Sequence, residues 1–177
     1  DLHVCGISIE TSNSAEAFRL QPSESVYSFY LQGCQVKGFS SKTIRLYDTS
    51  QTIAYVDSLV IDNCIFQPSA GRCLEATSAD KQVQHLLIKN STFDGGPSGV
   101  GRFIYFNTPE EGLTVKSARI DQCTFYNAQD TRCIYLGNIN GAQVRNCISM
   151  NPAYNADYKS YCVYGSQTLL THCISCN

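Results

Sequence analysis

The sequence predicts an all-β fold, a single-stranded parallel β-helix (solenoid) of about six to seven rungs. The main observation is a repeat in which a cysteine or serine follows a short apolar segment, at intervals of 24–32 residues. A second short apolar segment recurs between these, at intervals of 26–30 residues. Both segments alternate inward and outward positions with a period of two, which is typical of strands. The first column comprises Cys34, Cys64, Ser91, Cys123, Cys147 and Cys173, and the second begins at Phe18, Ile44, Leu74, Ile104, Ile134 and Val163.

A unit of this length cannot bury its apolar face alone. Stacking successive units in parallel, at about 4.8 Å per rung, gives a continuous core and a rod about 30–35 Å long. A leucine-rich repeat is the alternative solenoid, but the chain has no L-x-x-L-x-L run and no helix-forming stretch in each repeat. Residues 1–177 are therefore predicted to form one β-helix domain. We expect it to be part of a longer chain, because its first residues resemble neither a signal peptide nor an initiator methionine.

The composition restricts the classes of partner. The 177 residues carry a formal net charge of −2, with 43% hydrophobic and 16% charged residues. This composition supports a substantial core but provides no electrostatic reason to bind nucleic acid or anionic lipid. No apolar run approaches the roughly 18 residues of a membrane span. We therefore expect neither a nucleic-acid partner nor a membrane span.

The ten cysteines are predicted to be mostly structural. Those of the first column would point inward as free, stacked thiols, because neighbours in register on parallel strands are poorly oriented for a disulfide. A second column contains Cys73, Cys133 and Cys162, and a disulfide between Cys133 and Cys162 is an alternative to free thiols there. The C-x-x-C pair formed by Cys173 and Cys176 stands alone, which disfavours a metal or redox site.

Residues 61–66, 88–93 and 120–125 share the pattern Ile-x-(Asn/Gln)-(Cys/Ser)-(Ile/Thr)-Phe. This pattern resembles the right-handed parallel β-helix of the pectin-lyase-like superfamily, and the resemblance covers nearly the whole chain. It implies a tight turn between two strands of each rung, occupied by an Asn that tolerates the left-handed conformation and whose amide bonds to its neighbours in the stack. The predicted ladder comprises Asn63, Asn90, Gln122 and Asn146, with Gly33 and His172 at its ends.

Within that superfamily the chain is most similar to secreted bacterial β-helix domains associated with polysaccharide use. The resemblance implies a polysaccharide or glycan partner and a secreted or cell-surface location, the periplasm included. It also implies that the strand of the second apolar segment floors a substrate groove. The loops that would wall this groove lie within residues 67–71, 94–101, 126–131 and 151–160.

Candidate binding residues lie in and just before that strand. Its middle residue faces outward, and a basic residue recurs just before it at intervals of 30. Tyrosine rings beside a row of cations suit an acidic sugar chain, because rings offer flat faces and guanidinium groups bind carboxylates. In the alternative, the tyrosines only stabilise neighbouring strands, and the basic groups are solvated or paired with loop acids. The outward residues are Arg19, Arg45, Glu75, Tyr105, Tyr135 and Tyr164, and the basic residues are Lys42, Arg72, Arg102 and Arg132.

Catalysis is not evident in the sequence. Glycoside hydrolysis needs two opposed carboxylates, and the Asn-Thr-Asp, Asp-Asp and Gly-His-Gly signatures of polygalacturonase-like members are missing. Glu75 is a lone carboxylate on the predicted face, whereas calcium takes six to eight oxygen ligands, so we expect no metal and no cofactor. The alternative is a polysaccharide lyase that cleaves a uronic-acid polymer, with Arg102 or Arg132 as base and Tyr105 or Tyr135 as acid. A purely structural spacer rod is the third hypothesis.

Two further expectations concern the remaining surface. A second outward column alternates in charge along the stack, which favours pairing between rungs. No capping helix is evident at either end, so we expect flanking rungs or domains, or end-to-end self-association. The charged column comprises Gln32, Asp62, Lys89, Asp121, Arg145 and Thr171.

Overall fold

The computed structural model of the protein describes residues 1–12, 16–20, 27–46, 54–76, 81–96, 101–106, 115–128, 133–137, 139–150, 163–164 and 167–176. These residues contain twenty β-strands and no helix, which confirms the all-β class. All of the paired strands within them are parallel. The chain is therefore a parallel β-solenoid, as the repeat predicts.

Successive strands join three sheets in turn, so each turn of the chain contributes one strand to each sheet. The first sheet contains β1 (Leu2–Cys5), β4 (Tyr27–Gln32), β7 (Ala54–Asp62), β10 (Lys81–Lys89), β13 (Val115–Asp121), β16 (Asn140–Arg145) and β19 (Gln167–Thr171). The second contains β2 (Ser8–Glu10), β5 (Gln35–Lys37), β8 (Ile65–Gln67), β11 (Thr92–Asp94), β14 (Thr124–Tyr126), β17 (Ile148–Met150) and β20 (Ile174–Cys176). The third contains β3 (Glu16–Leu20), β6 (Lys42–Leu46), β9 (Arg72–Ala76), β12 (Arg102–Phe106), β15 (Ile134–Tyr135) and β18 (Val163–Tyr164).

The core runs along the axis of the stack and is built from repeated columns. Phe66, Phe93 and Phe125 occupy one register position on adjacent strands. Their ring centroids are 5.0 Å apart at each step, and the rings are nearly parallel. Phe103 of the third sheet packs against the same column, with its ring centroid 5.8 Å from that of Phe93. These four side chains are almost fully buried, so aromatic packing joins the second and third sheets across the interior.

The turn between the first and second sheets adopts the conformation that the resemblance implies. Asn63, Asn90, Gln122 and Asn146 have φ between 52° and 54°, and His172 continues the column at 53°. The predicted ladder of amides bonded to each other is not what the structure shows. Instead, Asn90 Nδ2 donates to Asp62 Oδ1 at 2.9 Å, and Asn146 Nδ2 donates to Asp121 Oδ1 at 3.0 Å. The carboxylate is the stronger acceptor, and it lies one residue before the turn on the adjacent rung.

The thiol column is confirmed over most of its length. Cys34, Cys64, Cys123 and Cys147 are buried and free, and each donates to the carbonyl oxygen two residues earlier at 3.2–3.3 Å. Ser91 replaces a thiol on the intervening turn and makes the equivalent bond at 2.7 Å. Cys173 is exposed rather than buried. Cys73 of the second column is buried and free, and Cys133 is buried, whereas Cys162 and the predicted Cys133–Cys162 alternative lie outside the described residues.

Burial of the thiol column leads to a pH prediction. Desolvation raises the pKa of Cys64 from 9.0 to about 11, and it raises the pKa of Cys73 as well. Since the folded-state pKa lies above the unfolded one, the contribution to stability is complete below about pH 8.5 and is lost as the pH rises through about 11. The free-energy difference between wild type and Cys64→Ala, measured by urea unfolding, should narrow by on the order of 1 kcal/mol over this range.

The matched control for this titration is Val36→Ala, which truncates a buried side chain that carries no ionisable group. Its free-energy difference from wild type should stay constant with pH. If both free-energy differences stayed constant up to pH 11, the Cys64 thiol would have the same pKa in the folded and unfolded states.

The alternating charges on the first sheet pair between rungs, as predicted. Lys89 Nζ lies 3.2 Å from Asp62 Oδ2, and Arg145 Nη2 lies 2.7 Å from Asp121 Oδ2. Asp121 also accepts from Arg119 at 2.9 Å, so this buried carboxylate bonds to two guanidinium groups. The outward column is therefore a structural feature of the first sheet.

Apolar side chains of the first and last described turns are more exposed than their equivalents inside the stack. Leu170 is 51% exposed, whereas Val144, its register partner, is fully buried. Leu2 and Ile174 are 50% and 57% exposed. The expected flanking rungs or end-to-end association stay predictions.

Candidate functional site

The candidate site lies on the outer face of the third sheet, called the third-sheet face below. Strand residues alternate between core and solvent, and Leu74 and Ala76 are buried on either side of Glu75. Parallel pairing in register places equivalent outward residues of successive turns side by side. One row contains Glu16, Lys42, Arg72 and Arg102, and the next contains Arg19, Arg45, Glu75, Tyr105, Tyr135 and Tyr164.

Glu75 belongs to an outward row but is only 7% exposed. Its carboxylate binds two cations: Lys42 Nζ lies 3.2 Å from Oε1, and Arg72 Nη1 donates to Oε2. Lys42 comes from the adjacent strand β6, and Arg72 lies three residues earlier on the same strand. Because Glu75 has already lost most of its contact with water, it is a preorganised part of the face. The sequence predicted that Glu75 has no second carboxylate beside it, and the structure adds that its carboxylate is ion-paired with two cations.

The tyrosines lie next to this cluster and beneath guanidinium groups. The ring centroids of Tyr105 and Tyr135 are 5.0 Å apart, with the ring planes tilted by 46°. Arg72 Cζ lies 4.0 Å from the centroid of Tyr105, and Arg102 Cζ lies 4.7 Å from Tyr105 and 5.2 Å from Tyr135. These distances are those of cation–π contacts. The cations therefore lie over the rings, where the sequence predicted a row beside them.

A second carboxylate cluster lies at the other end of the face. Glu16 Oε2 accepts from Arg19 Nε at 2.8 Å, and its Oε1 accepts from Arg45 Nη1 at 2.9 Å. Burial alone would raise the pKa of Glu16, but the hydrogen bonds from Arg45 and Arg19 outweigh it and hold this pKa below its ordinary value. Sequence reasoning did not single out Glu16. The sequence contained one signal for it: Glu16 lies three residues before Arg19, and Arg72 lies three residues before Glu75.

A shallow polar depression of about 350 Å³ opens beside Glu75. Gly71 allows a close backbone approach at its edge, because a Cβ on this residue, which has φ of +75°, would lie 1.9 Å from the carbonyl oxygen of Ser41. Hydroxyl, ammonium, guanidinium and carboxylate groups thus surround one small volume. The lining residues are Ser40, Ser41, Lys42, Gly71, Arg72, Glu75 and Gly101.

The third-sheet face brings together five of the seven predicted binding residues. Tyr164 is described only through the pairing of its strand with that of Tyr135, and Arg132 lies outside the described residues. Parts of the predicted groove walls, residues 97–100, 129–131 and 151–160, also lie outside them. The five residues that lie together are Glu75, Tyr105, Tyr135, Arg72 and Arg102.

Three of the four catalytic candidates, Arg102, Tyr105 and Tyr135, are neighbours on this face, and Arg132 falls on the undescribed part. Among the described residues that line the depression, Glu75 is the one carboxylate, and both of its oxygens are bound to cations. Within the described part of the chain, no cluster of three or more His, Cys, Asp or Glu side chains is placed to hold a metal ion. The arrangement can bind hydroxyl or charged groups, and its described residues include no opposed pair of carboxylates of the kind that hydrolysis requires.

The described residues include no helix with the length and hydropathy that crossing a bilayer requires. A scan against models of protein families matched none, and searches of curated proteins and of solved structures returned no match.

Proposed function

We propose that the third-sheet face binds polysaccharide, and that the protein is a non-catalytic, secreted or cell-surface carbohydrate-binding module related to the pectin-lyase-like β-helices. The main observation behind this proposal is that two adjacent tyrosines and a polar depression lie on the same face of the solenoid. A linear polymer can lie along such a rod and contact successive turns, which are spaced by about 4.8 Å.

The chemistry of the face supports a sugar ligand. Tyr105 and Tyr135 each combine an apolar ring with a hydroxyl group, and both are half-buried rather than hidden in the core. A sugar has the matching character, with apolar C–H faces and a rim of hydroxyl groups. The Arg72 and Arg102 contacts hold the two rings in position, which lowers the entropy that binding would cost.

The same face supports binding rather than catalysis. A hydrolase requires a second carboxylate opposed to the first across the sugar bond. Among the described residues that line the depression, Glu75 is the one carboxylate, and it is ion-paired with both Lys42 and Arg72. Its role in this arrangement is electrostatic and structural.

Removing both rings tests the proposal. Tyr105→Ala combined with Tyr135→Ala should weaken retention on at least one polysaccharide by about tenfold or more, because each aromatic anchor of a binding site contributes more than about 1 kcal/mol. Affinity electrophoresis on a panel of neutral and acidic polymers measures this retention.

The matched control is Tyr30→Ala, which removes a half-buried tyrosine on the first sheet, where it stacks with His3. This variant should keep wild-type retention. Unchanged retention of the double variant on every polymer tested would contradict the proposal. Release of an unsaturated sugar from a uronic-acid polymer, abolished by Arg132→Ala but not by Glu75→Ala, would establish the lyase alternative.

A further inference from the structure

We propose that the ligand of the third-sheet face is a neutral polysaccharide, and that Glu75 determines this by occupying the position that an acidic group of a ligand would take. The inference rests on the proposed carbohydrate-binding function. It replaces the acidic sugar chain that the row of cations suggested.

Four cations on the described part of this face are ion-paired with two carboxylates of the protein, so about half of their charge is already offset. Glu75 bridges Lys42 and Arg72. In the same way, Glu16 bridges Arg19 and Arg45 on the two turns nearest the start of the sheet. Each carboxylate pairs with two cations of the other row, so the pattern repeats along the face rather than occurring once.

An incoming carboxylate or sulfate cannot easily displace Glu75. The side chain belongs to a central strand and is nearly buried, and its partners lie at hydrogen-bond distance. An intramolecular carboxylate competes at a high effective concentration, since no translational freedom is lost when it pairs. A ligand anion beside it would also meet a like charge in a partly desolvated site, which is unfavourable.

The remaining features of the depression suit hydroxyl groups. Ser40 and Ser41 contribute to its wall, and Gly71 and Gly101 line it without side chains. A carboxylate such as Glu75 accepts hydrogen bonds from neutral donors, which sugar hydroxyls provide and ligand carboxylates do not. The rings of Tyr105 and Tyr135 lie beyond the charged cluster, one and two turns further along the sheet.

The test compares Glu75→Gln with wild type in native gels that contain a neutral β-glucan, a neutral mannan or polygalacturonate. Wild type should be retained by a neutral polymer and hardly by polygalacturonate. Glu75→Gln should gain about tenfold or more in affinity for polygalacturonate at low salt, and this gain should shrink at physiological salt because it is electrostatic.

Glu10→Gln is the matched control, since it removes the same charge from an exposed carboxylate paired with Lys37 on the second sheet. It should behave as wild type. Glu16→Gln keeps the test decisive if Glu75→Gln does not fold, because it removes the carboxylate that Arg19 and Arg45 share on the same face and should also gain retention by polygalacturonate.

Stronger retention of wild type by polygalacturonate than by either neutral polymer would overturn the inference. So would Glu75→Gln and Glu16→Gln variants that bind polygalacturonate no better than Glu10→Gln. If no polymer retains the wild type, the proposed function fails and the neutral-ligand assignment fails with it. The comparison of Glu75→Gln with Glu10→Gln still decides, separately, whether Glu75 suppresses polyanion binding.

Discussion

Replacing Phe93 with alanine is expected to lower the free energy of unfolding by about 3–5 kcal/mol, the typical cost of truncating a fully buried phenylalanine. Phe93 lies in the middle of the aromatic column, with Phe66 and Phe125 each 5.0 Å away between ring centroids. Phe103 contacts it from the third sheet at 5.8 Å. The cavity would therefore open at the junction of two sheets, where rigid strands on adjacent turns leave little room for collapse. Urea unfolding measures the effect.

Thr92→Ala is the control for this experiment. Thr92 is the neighbouring residue of the same strand, and it is half-buried on the outer side of the sheet. Its truncation should change the free energy of unfolding by no more than about 0.5 kcal/mol. Similar losses for the two variants would mean that the aromatic column is not the main source of stability at this level of the stack.

Gly71→Ala is expected to destabilise the protein by on the order of 3 kcal/mol or more, which combines backbone strain with overpacking. Gly71 has φ of +75°, a conformation that costs an L-residue energy. A Cβ there would also lie 1.9 Å from the carbonyl oxygen of Ser41, which is backbone and cannot rotate away. The third sheet would have to separate locally, so the depression beside Glu75 should be lost together with stability.

Gly141→Ala separates the two contributions. Gly141 has the same φ of +75°, but a Cβ at this position would meet no atom within 4 Å. This variant should lose only about 1–2 kcal/mol, the cost of the left-handed conformation alone. Equal losses in urea unfolding for Gly71→Ala and Gly141→Ala would show that the close approach to Ser41 is not significant.

The organisation of the fold could be predicted because a solenoid repeats its own pattern. Each turn must present the same kind of residue to the same column, so Ile61, Ile88 and Ile120 indicate stacking before any coordinates are known. The turn column is readable for a similar reason, since Asn63 and Asn90 belong to the residue type that best tolerates positive φ. Hydrogen-bond partners were harder to predict. The sequence pattern placed the amides in a row, but Asp62 beside Asn90 is a stronger acceptor than another amide.

The candidate site was predictable in position but not in charge balance. The spacing of 30 residues placed Arg72 and Arg102 beside each other, and their strands pair in register. It did not reveal that Glu75 is nearly buried, or that the guanidinium groups lie over Tyr105 and Tyr135. These contacts depend on side-chain conformation. From one backbone position, a long arginine side chain can lie over an aromatic ring, pair with a carboxylate or extend into solvent.

The sequence by itself determined the all-β class, the parallel stacking of turns and the inward columns, because periodicity in a solenoid is set by the backbone repeat. Only the tertiary structure decided which charges on the third-sheet face remain to meet a ligand. That choice depends on distances of a few ångströms between side chains of adjacent turns, where Glu75 reaches both Lys42 and Arg72. The attraction between two charges is strong at such distances and weakens as they move apart. Residue spacing along the chain therefore cannot show which ion pairs form.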